Sequence, residues 1–422
     1  MTFERREFLK WVTAAAGTAV VGGCVSTSGG GRGRVVVIGA GYGGATAAKY
    51  VRMWAPDFDV TLVERDAQFV SCPLSNLVLG GNAGMSQITM GYQGLTARGV
   101  RVVHDVAAAI DAPRREVRLA SGARLPYDRL IVSPGVDVSY ATLPGLQSAE
   151  AQSRVLHAWK AGPQTVALRK QLESMRDGGV FVIHIPRAPF RCPPGPYERT
   201  CQVADYFMKA KPKSKIIVLD TNEDIVSKKG LFLAAWNGQY KGMIDYRPNS
   251  ELTDVDARTL TAKLQFDDVK ADVLNVVPPQ RAAEIARAGG IAAGHGWCEI
   301  DWTTYESKLV PGVHVLGDAT LSAPAMPKSA TMANQHAKVC AAAVIALMKG
   351  EPVNAAPMLI NTCYSFVDGR NVMHVASVHR YDSAQKTMLA VKGAGGLSDK
   401  ASEAESAYAW GWARNIWADA LT

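Results

Sequence analysis

Short apolar runs closed by glycine or proline set the pattern of this chain. Arg34-Val-Val-Val-Ile38 predicts a strand, and Gly39-Ala-Gly41-Tyr-Gly43-Gly44 joins it to an alanine-rich stretch with helical character. Residues 60–64 predict a second strand, residues 101–105 and 116–119 two more with a turn at Ser121-Gly122, and residues 125–135 a buried strand ending in Ser133-Pro-Gly135. The strand pattern continues at 179–185, 215–220 and 310–319. A helix is expected after Ser329, a strand after Pro357 and a helix around Tyr408, Trp410, Trp412 and Trp417. Strands alternating with helical stretches predict an α/β fold.

The first turn carries candidate chemistry. Gly39 makes the tight turn, Gly41 lets backbone approach a pyrophosphate, Gly44 lets the helix pack on the strand, and the helix N-terminus favours negative charge. Glu64 ends the second strand where a ribose hydroxyl needs an acceptor; Ala40 and Arg65 are flanking candidate contacts. Ser133 and Gly135 close an element resembling the second signature of two-dinucleotide flavoproteins. Gly317 and Asp318 form the third, with Asp318 directed to a ribityl chain. The three in this order predict FAD.

Between the second and third signatures lies an insertion. The expected organisation is two Rossmann-like dinucleotide-binding domains, the second inserted in the first, plus a C-terminal interface domain. Residues 34–161 and 281–352 form the FAD domain, 162–280 the insertion and 353–422 the C-terminal domain. Where a second phosphate clamp needs glycines, the insertion has Pro186-Arg187-Ala-Pro-Phe190-Arg-Cys192-Pro-Pro-Gly-Pro-Tyr-Glu198-Arg199. Arg187, Phe190 and the prolines are expected to obstruct a pyrophosphate, leaving the nucleotide site degenerate and without NAD.

Composition narrows the classes. A chain of 422 residues, 48% hydrophobic, can bury a full core. Its net charge of +8 is spread along the sequence rather than clustered with aromatics, which argues against a nucleic-acid partner. That charge suits an acidic protein partner or an anion such as hydrosulfide, and equally a solvated surface. Seven cysteines include no C-x-x-C or C-x-x-C-H, and the eight histidines lack ligand spacing, so neither a metal site nor a haem is expected on this chain. On residue types alone Cys192 and Cys363 fit a redox disulfide, a structural disulfide or unpaired buried thiols, and Cys201 competes as the partner of Cys192. Cys340 reads as core.

The N-terminus, Arg5-Arg6-Glu-Phe8-Leu9-Lys10 followed by a modest apolar run, resembles a twin-arginine export signal over residues 1–33. This implies a periplasmic protein. The apolar run is too short for a stable span, and no integral membrane segment is expected in the mature chain. Val21-Gly22-Gly23-Cys24 resembles a lipoprotein cleavage box loosely.

Cys72-Pro-Leu-Ser-Asn76, Cys192-Pro-Pro-Gly-Pro-Tyr-Glu-Arg199 and Asn361-Thr-Cys363-Tyr-Ser, with the leader, resemble the flavoprotein subunit of flavocytochrome c sulfide dehydrogenase. That family is related to sulfide:quinone oxidoreductases and, more distantly, to pyridine nucleotide disulfide reductases. The resemblance implies FAD bonded through Cys72 to the flavin 8α-methyl carbon, a Cys192/Cys363 redox disulfide, and Glu198 as an acid/base group, against which stands a surface ion pair of Glu198 with Arg199. It also implies sulfide as substrate and a separate c-type cytochrome subunit as electron acceptor. A sulfide:quinone oxidoreductase, and a flavoprotein that reactivates a sulfur-oxidising complex without turning over sulfide alone, are the competing expectations.

Overall fold

The computed structural model describes residues 33–422; the twin-arginine-like leader and Cys24 lie outside the described residues. In chain order the elements that position the site are β1 (Arg34–Ile38), α1 (Tyr42–Trp54), β2 (Asp59–Glu64), α2 (Ser75–Gly80), β3 (Arg101–His104) and β4 (Arg129–Val132). There follow β5 (Val180–Ile185), α3 (Gly195–Ala210), β6 (Lys215–Asp220), α4 (Lys229–Asn237), β7 (Ile244–Arg247) and β8 (Val273–Val276). The chain ends with β9 (Val313–Val315), α5 (Ala330–Lys349), β10 (Met358–Phe366), β11 (Val372–Asp382), β12 (Thr387–Leu397) and α6 (Glu403–Leu421).

Two parallel sheets result. The first runs β9-β4-β1-β2-β3 and the second β7-β6-β5-β8. The central strands Val35–Ile38 and Phe181–Ile185 are buried along their length, as expected for strands covered on both faces. The second sheet falls in sequence between β4 and β9 of the first. Strand segments Val136–Val138 and Gln280–Ala282, on the way out and back, pair antiparallel. This is the two-Rossmann α/β architecture expected from the sequence. β10, β11 and β12 form an antiparallel sheet, and α6 returns to pack on α1. The tie is polar: Lys49 donates to the carbonyls of Ala418 (3.1 Å) and Asp419 (3.0 Å), a cation at a helix C-terminus.

The aromatic tail is divided between core and surface. Trp410, Trp412 and Trp417 are partly buried against the cluster around Leu74 and Phe366, whereas Tyr408 is 63% exposed on the outer face of α6. Cys340 is core, as expected.

Buried histidines carry an acid liability. Burial lowers His157 and His184 from 6.5 to about 4 and His336 to about 3. The unfolded chain therefore binds more protons between those values and 6.5. Their contribution is complete above about pH 6.5 and is lost as the pH falls. At pH 5 each is expected to cost on the order of 1–2 kcal/mol. A thermal midpoint that stays flat between pH 7 and pH 5 would contradict this.

Candidate active site

The C-terminal ends of β1, β4 and β9 converge on one crevice. Gly39 (φ +89°) sits so close to strand β4 that a Cβ would lie 2.4 Å from the Ser133 carbonyl oxygen, and a Cβ on Gly44 would lie 1.7 Å from the Gly39 carbonyl. Only glycine fits there without moving backbone. A Cβ on Gly41, by contrast, would meet nothing within 4 Å, so the first turn of α1 is open on that side. Gly43, which the spacing motif does not count, is also closely packed, against side chains. Its Cβ would lie 2.2 Å from Leu316 Cδ1 and 2.6 Å from Ser133 Oγ.

Glu64 stands at the end of β2 and accepts from the amides of Ala40 (2.7 Å) and Asp66 (3.0 Å), beside the turn. Arg65 points outward, 62% exposed, 3.6 Å from Asp66. Gly135 (φ +67°) turns the chain after Ser133, and Gly317 (φ +71°) lies against α5. Asp318 Oδ1 is buried and finds no partner among the described residues; burial raises its pKa against the opposing charges of Arg191 and Lys328. An unpaired acceptor beside an open glycine turn fits the ribityl hydroxyls of a flavin dinucleotide.

The N-terminus of α5 is the hub of the second half of the site. Ser329 caps it, its hydroxyl accepting from the Met332 amide at 3.1 Å and donating to Asn361 Oδ1 at 2.7 Å. The Cys363 thiol donates to the same Asn361 oxygen at 3.5 Å, and Thr331 bonds the Thr362 carbonyl at 2.8 Å. From the other side the Cys192 amide donates to the Lys328 carbonyl at 2.8 Å. Residue 328 thus binds the inserted domain while Ser329 binds the C-terminal sheet.

Cys192 has a left-handed backbone (φ +59°) that starts the turn into α3. Its amide partner and the prolines after it fix the thiol near Gly195 and Trp159. Cys192 and Cys363 are free thiols in this structure, each near enough that charge on one opposes charge on the other. Burial pushes both thiols up. Cys201 does not compete: it is buried in the core, accepting from Trp236 Nε1 at 3.2 Å.

Glu198 and Arg199 do not form a surface pair. They are 7% and 2% exposed, and Asn76 sits between them, donating to Glu198 Oε2 (2.8 Å) and accepting from Arg199 Nε (3.1 Å). Arg199 is otherwise consumed by the carbonyls of His157 and Ala158 and by Asn275. The second Glu198 oxygen accepts from the Phe366 amide at 2.9 Å. Burial raises the Glu198 pKa, opposed by those donors and by Lys228 and Arg199. A buried carboxyl so displaced is suited to holding a proton.

Cys72 precedes α2 and is half-buried, 3.5 Å from the Ala161 amide. Arg191 joins the parts of the site. Its guanidinium donates to the Trp159 carbonyl and feels the charges of Cys72, Asp318 and Cys192 together, which favour it against burial. Around it Trp159 Nε1 and Gln280 Nε2 are buried without partners among the described residues. Nothing in sequence spacing marked Arg191, Asn76 or Lys328.

The obstruction expected at the inserted domain's turn takes another form. Phe190 faces inward, 2% exposed with its ring 6.5 Å from Trp159, and Arg187 lies outside against Glu251. The acid at the end of β6, Asp220, is the one engaged: Tyr197 (2.8 Å), Tyr246 (3.1 Å) and Asn222 (2.7 Å) donate to it, filling the position where a ribose would bond.

Three family models match this chain. Residues 33–173 match pyridine nucleotide-disulphide oxidoreductase, 165–278 the central part of the sulfide dehydrogenase [flavocytochrome c] flavoprotein chain, and 355–421 the flavocytochrome c sulphide dehydrogenase flavin-binding region. A short flavoprotein-chain sequence of that enzyme from Chlorobaculum thiosulfatiphilum is 58% identical over 45 residues, 94% of its length and 11% of this chain. The chain belongs to the flavocytochrome c sulfide dehydrogenase flavoprotein family. Membership assigns it FAD and sulfide oxidoreductase chemistry. It is also similar to mouse mitochondrial sulfide:quinone oxidoreductase, 24% identical over 71% of this chain and 68% of that one. In fold it resembles the sulfide:quinone oxidoreductase of Aquifex aeolicus (TM-score 0.75, 16% identity, 92% and 91% of the two chains).

Proposed function

We propose that this chain is the flavoprotein subunit of a periplasmic sulfide dehydrogenase exported by the twin-arginine route. It oxidises hydrosulfide to sulfane sulfur at a Cys192/Cys363 disulfide and passes the electrons through FAD to a c-type cytochrome subunit. The observation that carries this reading is the position of Arg191, beside Cys192 in the chain and near enough to Cys72 and Asp318 that the charges of all three act on it. One flavin can be bonded at Cys72, held along its ribityl chain by Asp318 and faced by the cysteine pair.

Gly39, Ala40, Gly41 and Gly44 would cradle the pyrophosphate, Glu64 and Arg65 the adenosine end, and Ser133, Gly135, Gly317 and Asp318 the ribityl side. Bound FAD supplies an acceptor that takes two electrons and can release them singly. The residues do the rest. Hydrosulfide attacks one sulfur of the disulfide, the S–S bond breaks, a persulfide forms, and the other sulfur leaves as a thiolate with the electron pair. The N-terminus of α5 favours that negative charge. Glu198 holds a proton beside the pair at either oxygen, gripped by Asn76 and the Phe366 amide.

The engaged Asp220 and the proline-rich turn leave no ready seat for a nicotinamide nucleotide, so sulfide is the reductant. The sequence has no haem attachment motif, so the cytochrome is a separate chain. No helix among the described residues is long and apolar enough to cross a membrane; the flavocytochrome c family match supports a cytochrome over a quinone as acceptor. Sulfide-dependent reduction by the assembled complex tests this. Cytochrome c should be reduced at least tenfold faster than a short-chain quinone; faster quinone reduction would favour a sulfide:quinone oxidoreductase. Negligible turnover with either, alongside co-purification with a sulfur-oxidising complex, would favour a reactivating partner.

A further inference from the structure

We propose that Lys228 is a positioning residue that holds negative charge on the Cys363 sulfur. The inference rests on the disulfide reading above and names a group that reading did not use. Lys228 precedes α4 with a left-handed backbone (φ +56°) and is 4% exposed. Its ammonium crosses from the inserted domain to the C-terminal sheet. There it donates to the Cys363 carbonyl at 2.9 Å, Ser365 Oγ at 2.8 Å and the Met373 carbonyl at 3.3 Å.

Those three acceptors are neutral, so the hydrogens are satisfied while the charge is not neutralised in contact. Four ionisable groups face it: Cys363 from β10, Cys192 and Glu198 from the start of α3, and Glu405 from α6. Both carboxylates are engaged elsewhere. Glu198 is bound by Asn76 and the Phe366 amide, and Glu405 by His374 (2.9 Å) and Ser398 (2.9 Å). The group left to form an anion during turnover is the cysteine sulfur. Burial lowers Lys228 to about 8, against the opposing influence of those four groups, and its charge is among those that lower the buried Cys363 thiol.

Attack on Cys192 leaves Cys363 as the departing thiolate, beside the ammonium. Attack on Cys363 puts the persulfide there and the thiolate on Cys192, which Lys228 also faces. Removing the ammonium raises the energy of either species.

The test is the pH dependence of Cys363 alkylation by iodoacetamide in the reduced holoprotein, read by peptide mass spectrometry, for wild type, Lys228→Met, Lys228→Gln and Lys228→Arg. The neutral variants should move the alkylation midpoint up by about one pH unit or more, a tenfold slower reaction at fixed pH. Arginine should restore it. An unchanged midpoint in a neutral variant that keeps its flavin would overturn the proposal, reducing Lys228 to a backbone tie. Should neither neutral variant fold, wild type decides: uptake of one proton per disulfide reduced near pH 7, where Lys228 is already charged, supports a stabilised anion, and uptake of two overturns it. Flavin reduction in Cys363→Ser is scored separately, because it tests the disulfide reading and not the charge.

Discussion

Cys192→Ser and Cys363→Ser should each slow reduction of the bound flavin by sulfide by about a thousandfold or more, with the flavin still in place. Neither side chain is part of the glycine crevice, so the loss should fall on electron entry and not on cofactor retention. The double variant should be no slower than either single one, because the two sulfurs act as a unit. Stopped-flow bleaching of the flavin under anaerobic conditions reads this out. Wild-type rates in either variant would remove the disulfide from the pathway and leave Glu198 and Lys228 without a role in it.

The second large effect concerns Cys72. Acid precipitation of the wild-type holoprotein should leave the flavin on the peptide containing Cys72, whereas Cys72→Ser should release all of it to the supernatant as FAD. Retention in the variant would place the bond elsewhere, and free FAD from wild type would mean there is none. The physical case for a bond is location. A protein exported as proposed would meet no FAD pool, and Cys72 lies near the same Arg191 whose charge is favoured by Asp318 and Cys192. Replacing Arg191 would disturb all three points at once, so Cys72→Ser is the cleaner probe.

The FAD crevice could be read from sequence because its requirements are local and steric. A turn that leaves no room for a Cβ at Gly39 and Gly44 must be glycine, and the strand before it and helix after it are apolar runs of recognisable period. Gly43 escaped because the motif counts three glycines, while its close packing comes from the side chains of Leu316 and Ser133, distant in sequence. The same limit hid the second half of the site. Lys228 meets Cys363, and Asn76 meets Glu198, only after two sheets and a C-terminal hairpin have folded together. Sequence showed Glu198 beside Arg199 and suggested an ion pair; helix geometry sends both side chains inward, with Asn76 between them.

The inserted domain shows how a correct strand pattern can carry a mistaken local cause. The turn at Pro186 lacks glycines, and Phe190 was expected to stand in the way of a phosphate. It is an apolar side chain beside an apolar core, and it buries itself there. What occupies the acid at the end of β6 is a pair of tyrosine hydroxyls, from Tyr197 in α3 and Tyr246 in β7. Their arrival could be known only from how those elements pack.

One turnover, caught chemically, bears most directly on the account. Wild-type holoprotein is mixed anaerobically with a single equivalent of sulfide, the flavin absorbance is followed, and the cysteines are trapped by alkylation for mass spectrometry. The expected result is a bleached flavin together with one added sulfur atom bridging Cys192 and Cys363, recovered as a linked peptide pair heavier by one sulfur. A bleached flavin with both cysteines carrying no added sulfur, and equally fast bleaching after both had been alkylated beforehand, would contradict it.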